Sequence, residues 1–475
     1  KYTSEQLLED FKILKQGLET IHPGLYRYTH KNVMDSLFDQ MENHLKMSLT
    51  YQEFYQKICR LVAQVKCQHT IAIPAPNELH RIIKKGKFFP LRVVWEFNTI
   101  KAYSMFDFSS EASLPPGTRI ISINGQAMES IYEELIPYFS SDGEILTNKH
   151  SRLQVGTDFQ VWYYLLKGRP QMFQVELEGR DGEKFTKLYQ SVTFRQWTKN
   201  YKKYNAHEDP EIKEYANYYK RKEKTNRSKP IRNEFLSDDI ALLTINNFDS
   251  HEFSSIVSEA FEEIERKGAR NLIIDVRYNG GGSDILGRNL FSYLIQQPTA
   301  YFDSLYSSAN ISDTTFLFRY TDKNSEWYKQ VLPMVEKMKD GRFATKPEVN
   351  EGLKWQQPSE HRFQGNVYIL MNGRSASTTA EFTAAAHFNT LATFIGEESG
   401  GAYHGGHGGD FANLKLPNTK IDVQIPLTKY VMNSSEMRFK GRGTMPDYIV
   451  NETIEDFILL KDPHVELALK LIKDQ

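Results

Sequence analysis

The chain has 475 residues, of which 59 are Lys or Arg and 60 are Asp or Glu, so its formal net charge is −1. This balance gives no overall field that would attract nucleic acid or an anionic membrane. No apolar run approaches the roughly 18 residues that a membrane-spanning helix needs. Hydrophobic residues make up 40% of the chain, which is enough for ordinary buried cores.

The two cysteines, Cys59 and Cys67, are too few for a disulfide scaffold. Neither belongs to a Cys/His pattern with zinc-finger spacing. The sequence opens at Lys1 without a methionine or an apolar leader, which is compatible with removal of a signal peptide or with trimming. Cysteine usage leaves the cellular compartment open.

Residues 1–85 are predicted to form a helical N-terminal cap. Thr3 and Gln6 have the spacing of a capping box. Apolar residues then recur at three- and four-residue spacing, which predicts one buried stripe: Leu7, Phe11, Leu14 and Leu18. A later segment, "VKCQHTIAIP", changes from a helical pattern to a short apolar strand and places His69 at the junction.

Residues 86–198 are predicted to form a separate, β-rich domain. The stretch "LPPGTRIISINGQAMESIYEEL" gives a Pro-Gly turn, a strand, an Asn-Gly hairpin turn at Asn124-Gly125 and a helix. It resembles the Gly-x-x-Ile-x-x-Ile-Asn-Gly signature of PDZ domains, which bind a peptide as an added strand. Residues 199–234 are dense in charge and tyrosine. We interpret them as a charged linker rather than a basic arm for nucleic acid, because acidic residues are mixed throughout.

Residues 235–475 alternate short apolar runs with helical segments, which predicts an α/β core around a largely parallel sheet. One run, "NLIIDVRYNGGGSDIL", leads into Gly280, Gly281 and Gly282 and then a helix. Glycines at a helix N-terminus expose backbone N–H groups to an anion. By itself the pattern fits a tight turn, a phosphate site or a hole for a tetrahedral oxyanion.

Four segments in order are more specific than any one alone: "IIDVRYNGGG", "GRSASTTAEF", "FIGEESGG" and "GRGTMPDYIV". Together they resemble the C-terminal processing peptidases, also called tail-specific proteases. The resemblance implies a crotonase-like α/β peptidase core with an N-terminal helical cap and a PDZ-like module. It also implies a serine nucleophile and an acyl-enzyme.

That family uses either a lysine or a histidine as its base, and this sequence resembles the histidine branch, which includes the tricorn core and retinoid-binding relatives. The segment "GEESGGAYHGGHGG" contains no lysine where the Ser/Lys branch carries one, near Ala402. His69 stands where the histidine branch takes its base, although Cys67 and Gln68 replace the usual Asp-Gly. The branch also carries a glutamate before the Gly-x-x-Pro-Asp element. Lys440 stands at the expected place, and Glu436 is the nearest acid.

Two serines compete for the role of nucleophile. Family members place it three or four residues before a helix glutamate, and Ser377 lies four before Glu381, whereas Ser375 lies six before. Ser377 is therefore predicted to be the nucleophile and Ser375 a helix-capping residue. The N–H groups of Gly280 or Gly281 and of Thr378 are predicted to form the oxyanion hole.

A second pattern in the glycine-rich loop offers an alternative. His404, His407 and Asp410 have a spacing that could ligate a metal. We instead interpret this loop as a substrate-binding segment, because glycine-rich chain rarely fixes ligands. The sequence as a whole predicts an exported serine endopeptidase that acts on unfolded or extended polypeptides without a metal or organic cofactor. The alternatives are a non-catalytic binding protein for peptides or apolar ligands on the same fold, and an acyl-CoA enzyme of the crotonase type.

Overall fold

The computed structural model describes residues 1–154, 157–205, 207–308, 312, 314–434 and 438–474. The chain divides into two compact units. Unit 1 comprises Lys1–Ala75, Ser140–Asn148 and Ile231–Ile449, and unit 2 comprises Pro76–Phe139, Lys149–Pro230 and Val450–Gln475. This division differs from the predicted domains, because 140–148 joins the unit that contains the cap and core, and 450–475 joins the other.

In chain order, the described residues form the α-helices α1 (Ser4–Ile21), α2 (Lys31–His44), α3 (Tyr51–Ala63), α4 (Pro76–Lys85), α5 (Met128–Leu135), α6 (Thr147–Gln154), α7 (Asp158–Lys167), α8 (Phe194–Asn205), α9 (Pro210–Ser228), α10 (Phe253–Lys267), α11 (Asp284–Ser292), α12 (Thr314–Tyr320), α13 (Ser325–Val331), α14 (Thr378–Asn389), α15 (Ile454–Ile458) and α16 (Pro463–Lys473). Within these residues, no helix combines the length and the apolar character that crossing a bilayer requires.

The same residues form the strands β1 (Ile71–Ile73), β2 (Leu91–Glu96), β3 (Lys101–Asp107), β4 (Arg119–Ile123), β5 (Gln126–Ala127), β6 (Met172–Glu178), β7 (Lys184–Gln190), β8 (Ile231–Ser237), β9 (Ile240–Ile245), β10 (Asn271–Asp275), β11 (Thr299–Ala300), β12 (Phe302–Ser307), β13 (Val335–Lys337), β14 (Phe343–Thr345), β15 (Trp355–Gln356), β16 (Asn366–Met371), β17 (Thr393–Gly396), β18 (His407–Lys415), β19 (Asp422–Met432) and β20 (Tyr448–Ile449).

The main sheet of unit 1 confirms the predicted α/β core. Its order is β20-β17-β16-β10-β9-β8, with β8 antiparallel to β9 and the other neighbours parallel. β10 and β16 are in register, with Asp275 opposite Leu370 near their carboxyl ends. Ligands of open α/β sheets bind at this edge. The loops that follow both strands, which carry the glycines and the serines, are thus brought together.

A second sheet in unit 1 links the cap segment to the core. β1 pairs antiparallel with β19, which also pairs with β12 and β18. The predicted capping box of α1 is present, since Thr3 Oγ1 accepts the N–H of Gln6 and Gln6 Oε1 accepts the N–H of Thr3. The apolar stripe of α1 is buried, as its spacing predicts.

Unit 2 contains an antiparallel sheet of order β2-β3-β4-β6-β7, with β5 on β4. The hairpin between β4 and β5 turns at Asn124 and Gly125, whose φ values are 51° and 79°. Both residues therefore adopt the left-handed conformation that an Asn-Gly hairpin turn requires.

The segment predicted as a charged linker instead forms most of α8 and all of α9. Its aromatic side chains are buried in a cluster with strand residues of the same unit, and Tyr204 and Tyr215 are 0% and 3% exposed. The tyrosines recur at helical spacing and cover apolar surface, while the charges occupy the opposite faces. The high density of charged residues conceals this packing at the level of composition, because the buried faces are made by tyrosines set between them.

Candidate active site

Ser377 lies on a strained turn between a central strand and a helix. β16 ends at Met371 and α14 begins at Thr378, so Ser377 is the last residue before the helix. Its φ of 55° and ψ of −129° fall where glycine is at ease and other residues are rare. The hydroxyl makes no capping hydrogen bond, and the side chain lines a cavity. A strained strand-to-helix turn that presents a serine is the arrangement of a nucleophile elbow.

Ser375 is fully buried and its hydroxyl is committed within the fold. Its Oγ donates to the carbonyl of Val276 at 2.9 Å and accepts the N–H of Asn372 at 3.1 Å. These bonds join the chain just beyond β10 to the chain just beyond β16. Ser375 therefore ties two strand ends together, and the predicted helix-capping role is wrong.

The glycine loop approaches Ser377 so closely that a side chain does not fit. A Cβ on Gly281, whose φ is 103°, would lie 2.6 Å from Ser377 Cβ and 3.0 Å from the Thr378 nitrogen. The Gly281 N–H donates to Asn279 Oδ1 at 2.9 Å. Within the described residues, the N–H groups of Gly280 and Thr378 have no hydrogen-bond acceptor. Neither donor is therefore committed elsewhere among these residues, and Thr378 lines the same cavity as Ser377.

His69 occupies the turn between α3 and β1 and lines the same cavity as Ser377. The residue is half-buried, and its Nδ1 is buried without a hydrogen-bond partner in the described part of the chain. Burial lowers the pKa of His69 below its ordinary value, and the Asp142 carboxylate and a hydrogen bond to the backbone of His407 oppose that shift. The imidazole is therefore neutral near pH 7 and can accept a proton.

The shared cavity has a volume of about 260 Å³ and is built entirely by unit 1. Besides Ser377 and His69, it is lined by Gly282 of the glycine loop, Thr378 of α14 and Phe411 of β18. The structure thus brings the two predicted catalytic side chains and part of the predicted oxyanion loop to one place, although they are far apart in sequence.

Asp142 is an acid of this site that the sequence did not reveal. It is 0% exposed and accepts the backbone N–H and the Nε2–H of Gln68 at 2.9 and 3.0 Å, and the N–H of Ala402 at 3.3 Å. It thereby fixes the residue before His69. The local sequence "SSDG" predicts only a turn. No feature of it indicates that residues 140–148 lie in the site.

The predicted third catalytic residue, Glu436, lies outside the described residues and its role stays a prediction. Lys440, which the resemblance places where the family would carry an acid, is exposed. The carboxylate of another acid, Glu398, is already occupied by other partners. It accepts two hydrogen bonds from the Arg442 guanidinium at 2.8 and 2.7 Å and one from the Gly443 N–H at 2.8 Å.

Glu381 lies one turn into α14 and lines the cavity. Its Oε2 is buried and finds no hydrogen-bond partner within the described ranges. Burial, followed by the nearby Asp284 carboxylate, raises the pKa of Glu381 to about 8, and the Arg288 guanidinium opposes this shift. The carboxyl is therefore largely protonated at neutral pH and can act as a hydrogen-bond donor.

The pattern of His404, His407 and Asp410 does not come together as one site. His404 Nδ1 is 2.9 Å from Ser434 Oγ, and its Nε2 bonds the carbonyl of Arg438. Asp410 accepts from Lys323 Nζ at 2.7 Å and from Trp327 Nε1 at 2.6 Å. His407 is buried elsewhere, on the wall of the cavity. The three side chains have separate environments.

Residues 239–450 match the model of peptidase family S41. Over this core the chain is similar to peptidase family S41, and the predicted resemblance to a peptidase family is confirmed there. The sequence has no significant match among curated proteins.

Solved structures extend the similarity to the whole fold. The crystal structure of mature CPAF is 13% identical, with a TM-score of 0.63 over 98% of this chain and 96% of that chain. The structure of mature CPAF complexed with lactacystin is 14% identical, with a TM-score of 0.64 over 98% and 97%. At such identities the likeness concerns the fold, and it covers nearly the full length of both chains.

Proposed function

We propose that the protein is a serine endopeptidase of the tail-specific type that hydrolyses peptide bonds through an acyl-enzyme. The observation that carries this proposal is the placement of Ser377 on a strained turn in the cavity that His69 also lines. An activated serine needs a base and an exposed position, and these two residues supply both.

The proposed chemistry assigns one step to each group. Ser377 Oγ attacks the scissile carbonyl while His69 takes its proton. The oxygen of the tetrahedral intermediate accepts hydrogen bonds from the N–H groups of Gly280 and Thr378. His69 then protonates the leaving amine, and water hydrolyses the acyl-enzyme. Gly281 contributes mainly by allowing the loop to approach, because its own N–H is bound to Asn279.

Asp142 supports the histidine in this scheme. Its carboxylate holds Gln68 and Ala402 and favours the imidazolium that forms when Ser377 is deprotonated. It is a positioning residue that acts through neighbours and through its charge. The family-derived role of Glu436 remains a separate part of the proposal.

The proposed substrate is an unfolded or extended polypeptide, which the PDZ-like module would recognise by strand addition. No metal or organic cofactor enters the proposed reaction. We further propose that the protein is exported, to the periplasm, the cell surface or the extracellular space.

A non-catalytic binding protein on the same fold is the rival proposal. It explains why Lys440 stands where the resemblance places an acid. It does not explain why Ser377 has a strained backbone conformation in the cavity that the neutral imidazole of His69 also lines. The two proposals differ in whether peptide bonds are broken.

Digestion of a reduced, unfolded protein, followed by mass spectrometry of the products, tests the proposal. Wild-type protein and Ser255→Ala, at an exposed position of α10, should release the same peptides. Ser377→Ala should slow their release by several orders of magnitude, as deletion of a nucleophile does. Equal product from Ser377→Ala, or none from the wild type, contradicts the proposal.

A further inference from the structure

Three potential metal ligands meet beside the cavity wall in unit 1. His22, Cys67 and His407 are 4%, 0% and 1% exposed, and one ligand atom of each lies within 4.8 Å of the other two. His22 follows α1, Cys67 lies in the turn after α3, and His407 opens β18. Their separation along the chain explains why spacing rules for zinc sites could not detect them.

The imidazole of His407 has hydrogen-bonding capacity that the surrounding protein does not satisfy. Both of its ring nitrogens are buried, and neither has a hydrogen-bond partner among the residues that the structure describes. An unsatisfied buried polar atom is costly and rare, and an imidazole without a hydrogen-bond partner is suited to bind a metal ion. The ring lies against that of His22, with the ring centroids 4.9 Å apart.

Cys67 and His22 also carry atoms that can bind a metal ion. Cys67 is a free thiol, which binds a metal as thiolate and releases its proton to solvent. His22 Nδ1 accepts the N–H of Gly24 at 3.0 Å, and its Nε2 lies 3.0 Å from Thr70 Oγ1. Metal binding would exchange one of these hydrogen bonds for a coordinate bond.

We propose that His22, Cys67 and His407 form a binding site for Zn²⁺. Two imidazoles and a thiolate are ligands that zinc prefers, with water in the fourth position. Tetrahedral zinc places such ligand atoms about 3.3–3.6 Å apart, so the present spacing needs an inward shift of about 1 Å or less. The ion has a path of entry, because His407 also lines the cavity.

Zinc bound there inhibits hydrolysis, a consequence that rests on the proposed function. The backbone N–H of His69 donates to the Cys67 sulfur, and the backbone of His407 bonds the His69 ring. Two of the three metal ligands therefore hold the proposed base. Drawing them toward an ion moves His69 away from the position it needs for proton transfer.

Titration of Zn²⁺ into metal-free full-length protein, in competition with a chromophoric chelator, tests the site. The wild type and Cys59→Ser, which alters the other buried cysteine of the chain, should each bind one ion. Cys67→Ser should lower the affinity by more than about 100-fold, since even substitutions behind a ligand cost about 10–100-fold. With Co²⁺ in place of Zn²⁺, the thiolate charge-transfer band should be present in Cys59→Ser and absent in Cys67→Ser.

A second measurement uses only the wild type, so its result does not depend on whether the variants fold. Zinc should slow alkylation of Cys67 and leave that of Cys59 unchanged, as read by peptide mass spectrometry. Wild-type affinity in Cys67→Ser, or equal alkylation of Cys67 with and without zinc, overturns the site. Zinc binding with unchanged hydrolysis overturns only the inhibition. Absence of hydrolysis under all conditions overturns the proposed function and leaves the binding result standing.

Discussion

Replacing Ser377 by alanine or by glycine separates the cost of its backbone conformation from the loss of its hydroxyl. Both variants lack the nucleophile, but only glycine accepts φ 55° and ψ −129° without strain. A non-glycine residue in such a region costs about 1–3 kcal/mol. Glycine also gives the unfolded chain more conformational freedom, which reduces this gain in folding stability by about 0.4–1 kcal/mol. We expect Ser377→Gly to be more stable than Ser377→Ala by about 0.5–2 kcal/mol.

Hydrogen exchange of peptides that cover β16 and α14, followed through increasing urea, measures the free energy of unfolding at the turn itself. Ser255 supplies a control with the opposite sign. It lies at an exposed position in the first turn of α10, where glycine should be less stable than alanine by somewhat less than the roughly 1 kcal/mol of a helix interior. If Ser377→Gly is equal to or less stable than Ser377→Ala, the turn is not strained and this argument for a nucleophile elbow fails.

His69→Ala should abolish hydrolysis, whereas His44→Ala, at an exposed position in α2, should keep it. In the wild type, activity should fall on the acidic side only below pH 6.5, because burial lowers the pKa of His69. The pKa of Glu381 rises on folding from 4.5 to about 8. Its carboxyl therefore stabilises the fold fully below pH 4.5 and loses this contribution as the pH rises to about 8. The loss is at most about 1.4 kcal/mol per pH unit, and urea unfolding of Glu381→Gln should show a flatter profile across this window. Tyr204→Ala should lower the stability of unit 2 by about 3–5 kcal/mol in thermal unfolding, against about 0.5 kcal/mol or less for exposed Lys222→Ala.

The parts of the site that lie on regular elements could be predicted from sequence. Apolar runs indicated the parallel strands, and the change from strand to helix indicated the turn that carries Ser377. The order of motifs then linked that turn to the glycine loop and to His69. These inferences depend on local periodicity and on the rule that carboxyl ends of parallel strands share an edge.

The missed parts depend on tertiary contacts that leave no local pattern. Asp142 lies in a short excursion of the chain back into unit 1, and its neighbours in sequence predict a turn wherever they occur. The assignment of Ser375 as a cap failed because its hydroxyl bonds two strand ends that only the sheet brings together. His22, Cys67 and His407 likewise meet only in the folded chain.

Labelling with a fluorophosphonate, followed by peptide mass mapping, tests the central claim most directly, because only an activated serine reacts. We predict one adduct per chain, on Ser377, and a large loss of labelling rate in His69→Ala with the fold retained. An adduct on Ser375, or wild-type labelling of His69→Ala, would contradict the assignment of nucleophile and base. A native wild-type chain that takes no label would favour the non-catalytic binding protein.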